Sequence, residues 1–98
     1  MTLTSKQRAF LISKAANIKA SFALGKSSLT PEITEAINEY FGNNELLKVS
    51  VLNNCDDDPT ELGRILSERT HSVLVKVIGK KIILYKRDRE NPKLELPR

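Results

Sequence analysis

Apolar residues first recur at helical spacing, Leu11, Ala15 and Ile18 falling at i, i+4 and i+7, and Thr4 followed by Gln7 has the form of a capping box. This predicts an amphipathic helix over residues 5–18. Its other side is polar and basic. Lys6, Phe10, Lys14 and Asn17 share one arc of the wheel, so Phe10 either closes the edge of the core or stands as a ring among cations. The apolar run Phe22–Leu24 predicts a short strand, and the small-residue turn Gly25-Lys26-Ser27-Ser28 follows it. Thr30 then sits as an N-cap and Pro31 at the first helical position; Ile33, Ile37 and Phe41 recur at helical spacing before Gly42 stops the series. A second helix over residues 31–41 is expected, with Phe22 and Phe41 in the core.

The period then changes to two. Leu47, Val49 and Val51 alternate with Lys48 and Ser50, the pattern of a strand with one buried face and one exposed. Asp58-Pro59-Thr60-Glu61 repeats the cap signature before Leu62, Ile65 and Leu66, which predicts a third helix over residues 59–69. Two last strands, 73–78 and 81–86, are joined by Gly79-Lys80, a Gly-first pair suited to a type II′ hairpin. That turn sets Ile78 opposite Lys81, Val77 opposite Ile82, Lys76 opposite Ile83 and Leu74 opposite Tyr85. Val73, Val75, Val77, Ile82 and Leu84 would then share an apolar face, with Lys76, Lys81 and Tyr85 on the other. The order αβαβαββ implies an α/β domain with a mixed four-stranded sheet and three packed helices. Residues 1–88 are expected to form this domain, and 89–98, charged and proline-containing, an extended or loose tail.

Composition narrows the chemistry. With 98 residues, 40% of them hydrophobic, the chain fits one domain; it contains no run that could span a membrane and no export signal, so a cytoplasmic location is expected. A single cysteine, Cys55, and a single histidine, His71, leave no set for structural zinc or for Cys/His catalysis, and no cofactor is expected. Cys55 precedes an acidic run that opposes thiolate formation, and His71 follows the third helix, where a C-terminal capping role suits it. Asp56-Asp57-Asp58 suits a helix N-terminus better than a cation site, because no further acceptors follow at loop spacing.

The net charge of +4 is unevenly distributed: residues 1–28 carry +5, residues 29–72 carry −6 and residues 73–98 carry +5. If the fold brings the two basic ends together, they form a surface for a polyanion. The turn at Gly25 is the sharpest element of such a surface. Its backbone amides approach an anion, the following helix adds its N-terminal dipole, and Lys26 adds a full charge.

Several separated blocks, in order, resemble the YhbY or CRM-domain group of small RNA-binding domains. They are Leu3-Thr4-Ser5-Lys6-Gln7-Arg8, Leu24-Gly25-Lys26-Ser27-Ser28-Leu29-Thr30, Glu45-Leu46-Leu47-Lys48-Val49, Val77-Ile78-Gly79-Lys80 with Leu84-Tyr85-Lys86, and Leu94-Glu95-Leu96-Pro97. The resemblance covers nearly the whole chain. It implies a fold similar to the C-terminal domain of bacterial translation initiation factor three, and RNA-backbone contact at a G-x-x-G turn analogous to that of KH domains. Here Ser28 occupies the second glycine position. Ala15-Ala16 stands where the family tends to have Ala-His, and Ala20 where a proline follows the lysine.

The expected function is therefore non-catalytic binding of structured ribosomal RNA in precursors of the large subunit, by a protein expected to be monomeric. Ribosomal proteins are further possible partners, and no membrane is involved. Lys6, Arg8, Lys14, Lys26, Lys80, Lys81, Lys86 and Arg87 are the expected phosphate contacts, with the backbone at Gly25, Ser27 and Ser28 fixing position. Phe10 and Tyr85 are candidates to stack on bases, Tyr85 alternatively packing on Leu74. The competing expectation is a protein-interaction module that uses its segregated acidic and basic surfaces.

Overall fold

Each helix begins where a side chain supplies an acceptor that the backbone lacks. Thr4 Oγ1 accepts from Gln7 N at 3.1 Å while Gln7 Oε1 accepts from Thr4 N at 3.1 Å, so both halves of the capping box form. Thr30 Oγ1 accepts from Ile33 N, and Asp58 Oδ2 from Glu61 N, each at 3.2 Å. In the computed structural model, which describes residues 2–98, these caps open α1 (Ser5–Ala15), α2 (Pro31–Tyr40) and α3 (Pro59–Thr70). The strands are β1 (Phe22–Leu24), β2 (Leu46–Val51), β3 (Val73–Ile78) and β4 (Lys81–Tyr85), in the expected order. Helix α1 stops at Ala15 rather than at residue 18, because Asn17 N and Ile18 N bond three residues back, to Lys14 O and Ala15 O, and tighten the last turn.

The mixed sheet has the order β1-β2-β4-β3. β1 and β2 are parallel, and β4 lies antiparallel between β2 and β3. Strand β4 is therefore central, and both faces of the sheet are covered. Leu24, Leu47, Val49, Val51, Ile82 and Leu84 pack under α2 and α3, together with Ile37, Phe41, Leu62 and Leu66. Leu46, Val75, Ile83 and Tyr85 pack on the opposite side against Leu3, Leu11 and Ala15 of the α1 segment. Helix α3 lies so close to the sheet that a Cβ on Gly63 would come within 2.9 Å of Leu74 Cδ1.

The hairpin departs from the expected register beyond Lys76. Ile78–Lys81, Val77–Ile82 and Lys76–Ile83 pair as expected, but a bulge between Leu74 and Lys76 sets Leu74 opposite Leu84 and Val73 opposite Tyr85. Val73 and Val75 thereby join the α1 side, away from Ile82 and Leu84. Tyr85, placed on an exposed face by the expected pattern, is 0% exposed. The covering layer of α1 and the tail is the reason. The polar face of β2 is likewise only half open, with Lys48 and Ser50 half-buried.

The segment after β4 has no regular structure, yet it is not loose. Glu45, 3% exposed, accepts Asp88 N at 2.8 Å on Oε2, and Lys93 N at 2.6 Å and Leu94 N at 2.7 Å on Oε1. Leu94 and Leu96 then pack against the α1-side core. Three backbone dipoles thus surround one buried carboxylate.

Candidate nucleic-acid interface

The parallel β1–β2 pair and the antiparallel β4 bring three loops to one end of the sheet. Leu52 N donates to Leu24 O at 2.8 Å and Val51 N to Lys80 O at 2.7 Å, which ties the Gly25 turn, the residues after β2 and the hairpin tip side by side. Lys80 Nζ donates to Asn53 Oδ1 at 2.9 Å, and Lys81 Nζ to Ser50 Oγ at 2.7 Å. Two strand spacings separate the turn from the hairpin tip, about 10 Å. Lys26, Lys80 and Lys81 are exposed there, with Leu52 at 44% and Ile78 at 49% exposure beside them.

The turn itself is closed by Ser28 N donating to Gly25 O at 2.9 Å. Among the described residues, the amides of Lys26 and Ser27 find no backbone acceptor, so they are open to an anion. Ser28 adopts φ +54, the left-handed conformation that a glycine would take at this position, so the backbone keeps its course despite the side chain. Ser28 Oγ accepts from the buried Cys55 thiol at 3.6 Å, which pins the turn to the core and leaves the hydroxyl proton free to donate. Gly25 packs closely against the loop after β2: a Cβ there would lie 3.3 Å from Asn54 Oδ1, so that side chain would have to shift slightly.

The expected site residues divide into three places. Gly25, Lys26, Ser27, Ser28, Lys80 and Lys81 meet at the loop end just described. Lys6 and Lys14 are exposed on α1, where Lys14 Nζ stands 5.5 Å above the centroid of the half-buried Phe10 ring. Lys86 and Arg87 lie at the opposite end of β4, about 20 Å from Lys81 by strand rise. Arg8 is committed elsewhere. Its Nη1 donates to Leu74 O at 3.0 Å and to Val75 O, the carbonyls at the β3 bulge, so this guanidinium is a structural tie and only half exposed. Tyr85 cannot stack on a base, being fully buried. Among the described residues its hydroxyl has no hydrogen-bond partner, and burial first and the nearby Glu45 charge second push the phenol upward, against the opposing pull of Arg87.

Two cations escaped the sequence reasoning. Lys48 and Lys76 both pair with Ile83, from opposite sides, and so flank the α1 side of the sheet in one row. The next row holds Ser50, Lys81 and Ile78. Each lysine was legible as the polar position of its own strand, but only the strand order unites them.

Charge separates by layer. The exposed carboxylates Glu32, Glu35 and Glu39 of α2, with Glu61 and Glu68 of α3, lie on the far side of the sheet from α1. Arg64 pairs with both Glu61 and Glu68, which holds Glu61 below the ordinary carboxylate range through its hydrogen bond and then its charge. A groove beside the turn carries a net negative lining, with Asp57, Asp58 and Glu61 against Arg69 and with Ser27 and Ser28 at its edge. An anion is thus admitted from the α1 side and the loop tips, and repelled from the α2–α3 side.

Comparison with known proteins agrees with this architecture. Residues 3–86 match the model of the CRS1 / YhbY (CRM) domain. A Bacillus subtilis protein named "Probable RNA-binding protein YqeI" is 41% identical over 95 residues, covering 97% of this chain and 99% of its own length. A Haemophilus influenzae protein named "RNA-binding protein" is 30% identical over 97 residues, covering 99% and 97%. The solution structure of a hypothetical Staphylococcus aureus protein, described as a candidate RNA binder, superposes with a TM-score of 0.82 at 44% identity, covering 98% of this chain and 100% of that one. The chain therefore belongs to the CRS1 / YhbY (CRM) domain family.

Proposed function

We propose that this protein is a non-catalytic RNA-binding protein that docks on structured ribosomal RNA in precursors of the large subunit. The observation that carries the proposal is the loop end of the sheet: the Gly25–Ser28 turn, with Lys26 and two open amides, is joined through the end of β2 to the hairpin that presents Lys80 and Lys81. Phosphate contacts from these lysines, and from Lys6, Lys14, Lys48 and Lys76 on the α1 side, supply the affinity. The exposed Leu52 and Ile78 offer apolar contact to sugars or bases between those cations. The RNA-binding names of relatives that match over nearly their full length support RNA as the ligand class. The ribosomal target rests on the family resemblance.

The acidic α2–α3 layer supports the alternative, a protein-interaction module. Salt-gradient sedimentation of cell extract, with Lys26→Glu alongside the unaltered protein, decides between them. Co-migration with the large-subunit precursor, abolished by the charge reversal, is the expected result. Free migration of both proteins at low salt would overturn the ribosomal proposal and favour the alternative.

A further inference from the structure

At the end of the sheet opposite the Gly25 turn, a half-open cleft of about 870 Å³ runs between the His71–Ser72 corner and the strand extension Lys86–Arg89. This volume suits a group the size of a nucleotide. Lys86, Arg87 and Arg89 form one wall, His71 and Ser72 the other, and the half-buried Val73 and Leu74 contribute to the apolar floor. Among the described residues no carboxylate lines it, in contrast to the groove beside the turn, where Asp57, Asp58 and Glu61 meet Arg69.

The cationic wall is built rather than loose. The backbone of Glu45 accepts Lys86 N at 2.8 Å and its carboxylate accepts Asp88 N at 2.8 Å, which brackets Arg87 on both sides. The Asp88 carboxylate is turned back on its own loop, accepting Glu90 N and Asn91 N at 3.1 Å each and meeting Lys93 Nζ at 3.5 Å. The carboxylates of Glu45 and Asp88 are therefore spent on backbone amides and on one lysine. The other wall is prepared in the same way. Ser72 N donates to Ser67 O at 2.9 Å, which quiets the carbonyl end of α3 facing the cleft.

From this arrangement we propose that the cleft is a second phosphodiester-binding site, and that an RNA held at the Gly25 turn extends across the α1 side of the sheet to reach it. The inference rests on the proposed RNA-binding function and adds a second anchor about 20 Å farther along the strand direction than the loop end of the sheet. Glu45 acts here as a positioning residue, since it touches no ligand and sets the course of the chain that carries Arg87 and Arg89.

The test titrates the full chain with two RNAs, a structured RNA of several tens of nucleotides and an oligonucleotide of four, for three proteins: unaltered, Lys26→Glu, and the double variant Arg87→Glu/Arg89→Glu. Both arginines are exposed, and circular dichroism checks that the double variant folds. The double variant is expected to weaken the long RNA by about tenfold and to lower its log-affinity against log-salt slope by about 2. Its affinity for the tetranucleotide at the turn should not change, whereas Lys26→Glu should weaken both RNAs. An unchanged affinity and slope for the long RNA in the double variant, with Lys26→Glu still weakened, would overturn the second site while leaving RNA binding at the turn intact. Absence of binding to either RNA by the unaltered protein would overturn both.

Discussion

Glu45→Gln is the perturbation that most directly asks what holds the last eleven residues in place. The native carboxylate accepts three amides from Asp88, Lys93 and Leu94 with no cationic side chain against it among the described residues. Glutamine has the same size, but one of its two terminal atoms is a donor. If its oxygen keeps Lys93 N and Leu94 N, its NH₂ group faces Asp88 N, and a buried donor loses its acceptor at about 1–3 kcal/mol, while the two retained bonds lose their charge assistance. The local penalty is then about 3 kcal/mol. The global loss is smaller, because the segment can let go: release returns its amides to water and its backbone to the entropy of a free chain, at the expense of the half-buried Leu94 and Leu96. An overall loss of about 1–3 kcal/mol is expected, or about 5–15 °C in Tm for a domain of this size. Amide hydrogen exchange distinguishes release from general weakening. Residues 88, 93 and 94 should lose their protection entirely, while the amides of β2 and β4 keep most of theirs. Unchanged protection at those three amides, or a Tm equal to that of the unaltered protein, would refute the reasoning and assign the tethering to the leucines alone.

Three further substitutions separate structural residues from binding ones. Tyr85→Phe removes a buried hydroxyl that has no partner among the described residues, so thermal denaturation should show stability unchanged or raised by about 1 kcal/mol, with RNA affinity unaltered. Arg8→Met leaves the bulge carbonyls of Leu74 and Val75 without their donor; a loss of about 1–3 kcal/mol in urea unfolding is expected, with the salt slope of RNA binding unchanged. Ser28→Gly relieves a left-handed conformation that costs about 1–2 kcal/mol for a residue with a Cβ, against about 0.5–1 kcal/mol of extra chain entropy in the unfolded state, so stability should hold or rise slightly. Ser28→Val, β-branched at the same φ, should lower Tm and weaken RNA binding together.

Local signals were legible because they are written in adjacent residues. The pairs Thr4/Gln7, Thr30/Pro31 and Asp58/Pro59 mark all three helix starts, and Gly79-Lys80 marks a hairpin whose glycine has φ +57. The long-range arrangement was less accessible. Alternation tells which side of a strand is apolar but not which strand lies beside it, so the insertion of β4 between β2 and β3, and with it the row of Lys48 and Lys76, stayed hidden. One available signal points to it: Ile82-Ile83-Leu84-Tyr85 is an unbroken apolar run, the mark of a strand buried on both faces, and all four residues are buried. The same run assigns Tyr85 to the interior. The bulge at Val75 has its carbonyl met by an arginine 67 residues away in sequence, and no local pattern announces it. Glu45 is the least legible of all, since an acid ahead of a strand reads as a surface residue until the chain that returns to it is seen.

The most direct test of the central claim is the affinity of the purified protein for a structured ribosomal RNA fragment across a series of salt concentrations, measured for the unaltered chain, Lys26→Glu and Glu39→Lys. A steep inverse dependence on salt is predicted, with Lys26→Glu weaker and shallower by about one contact. Glu39→Lys, on the acidic far side of the sheet, should change the slope little. A flat salt dependence for the unaltered chain, or a Lys26→Glu protein that binds as tightly as the unaltered one, would contradict RNA docking through the Gly25 turn.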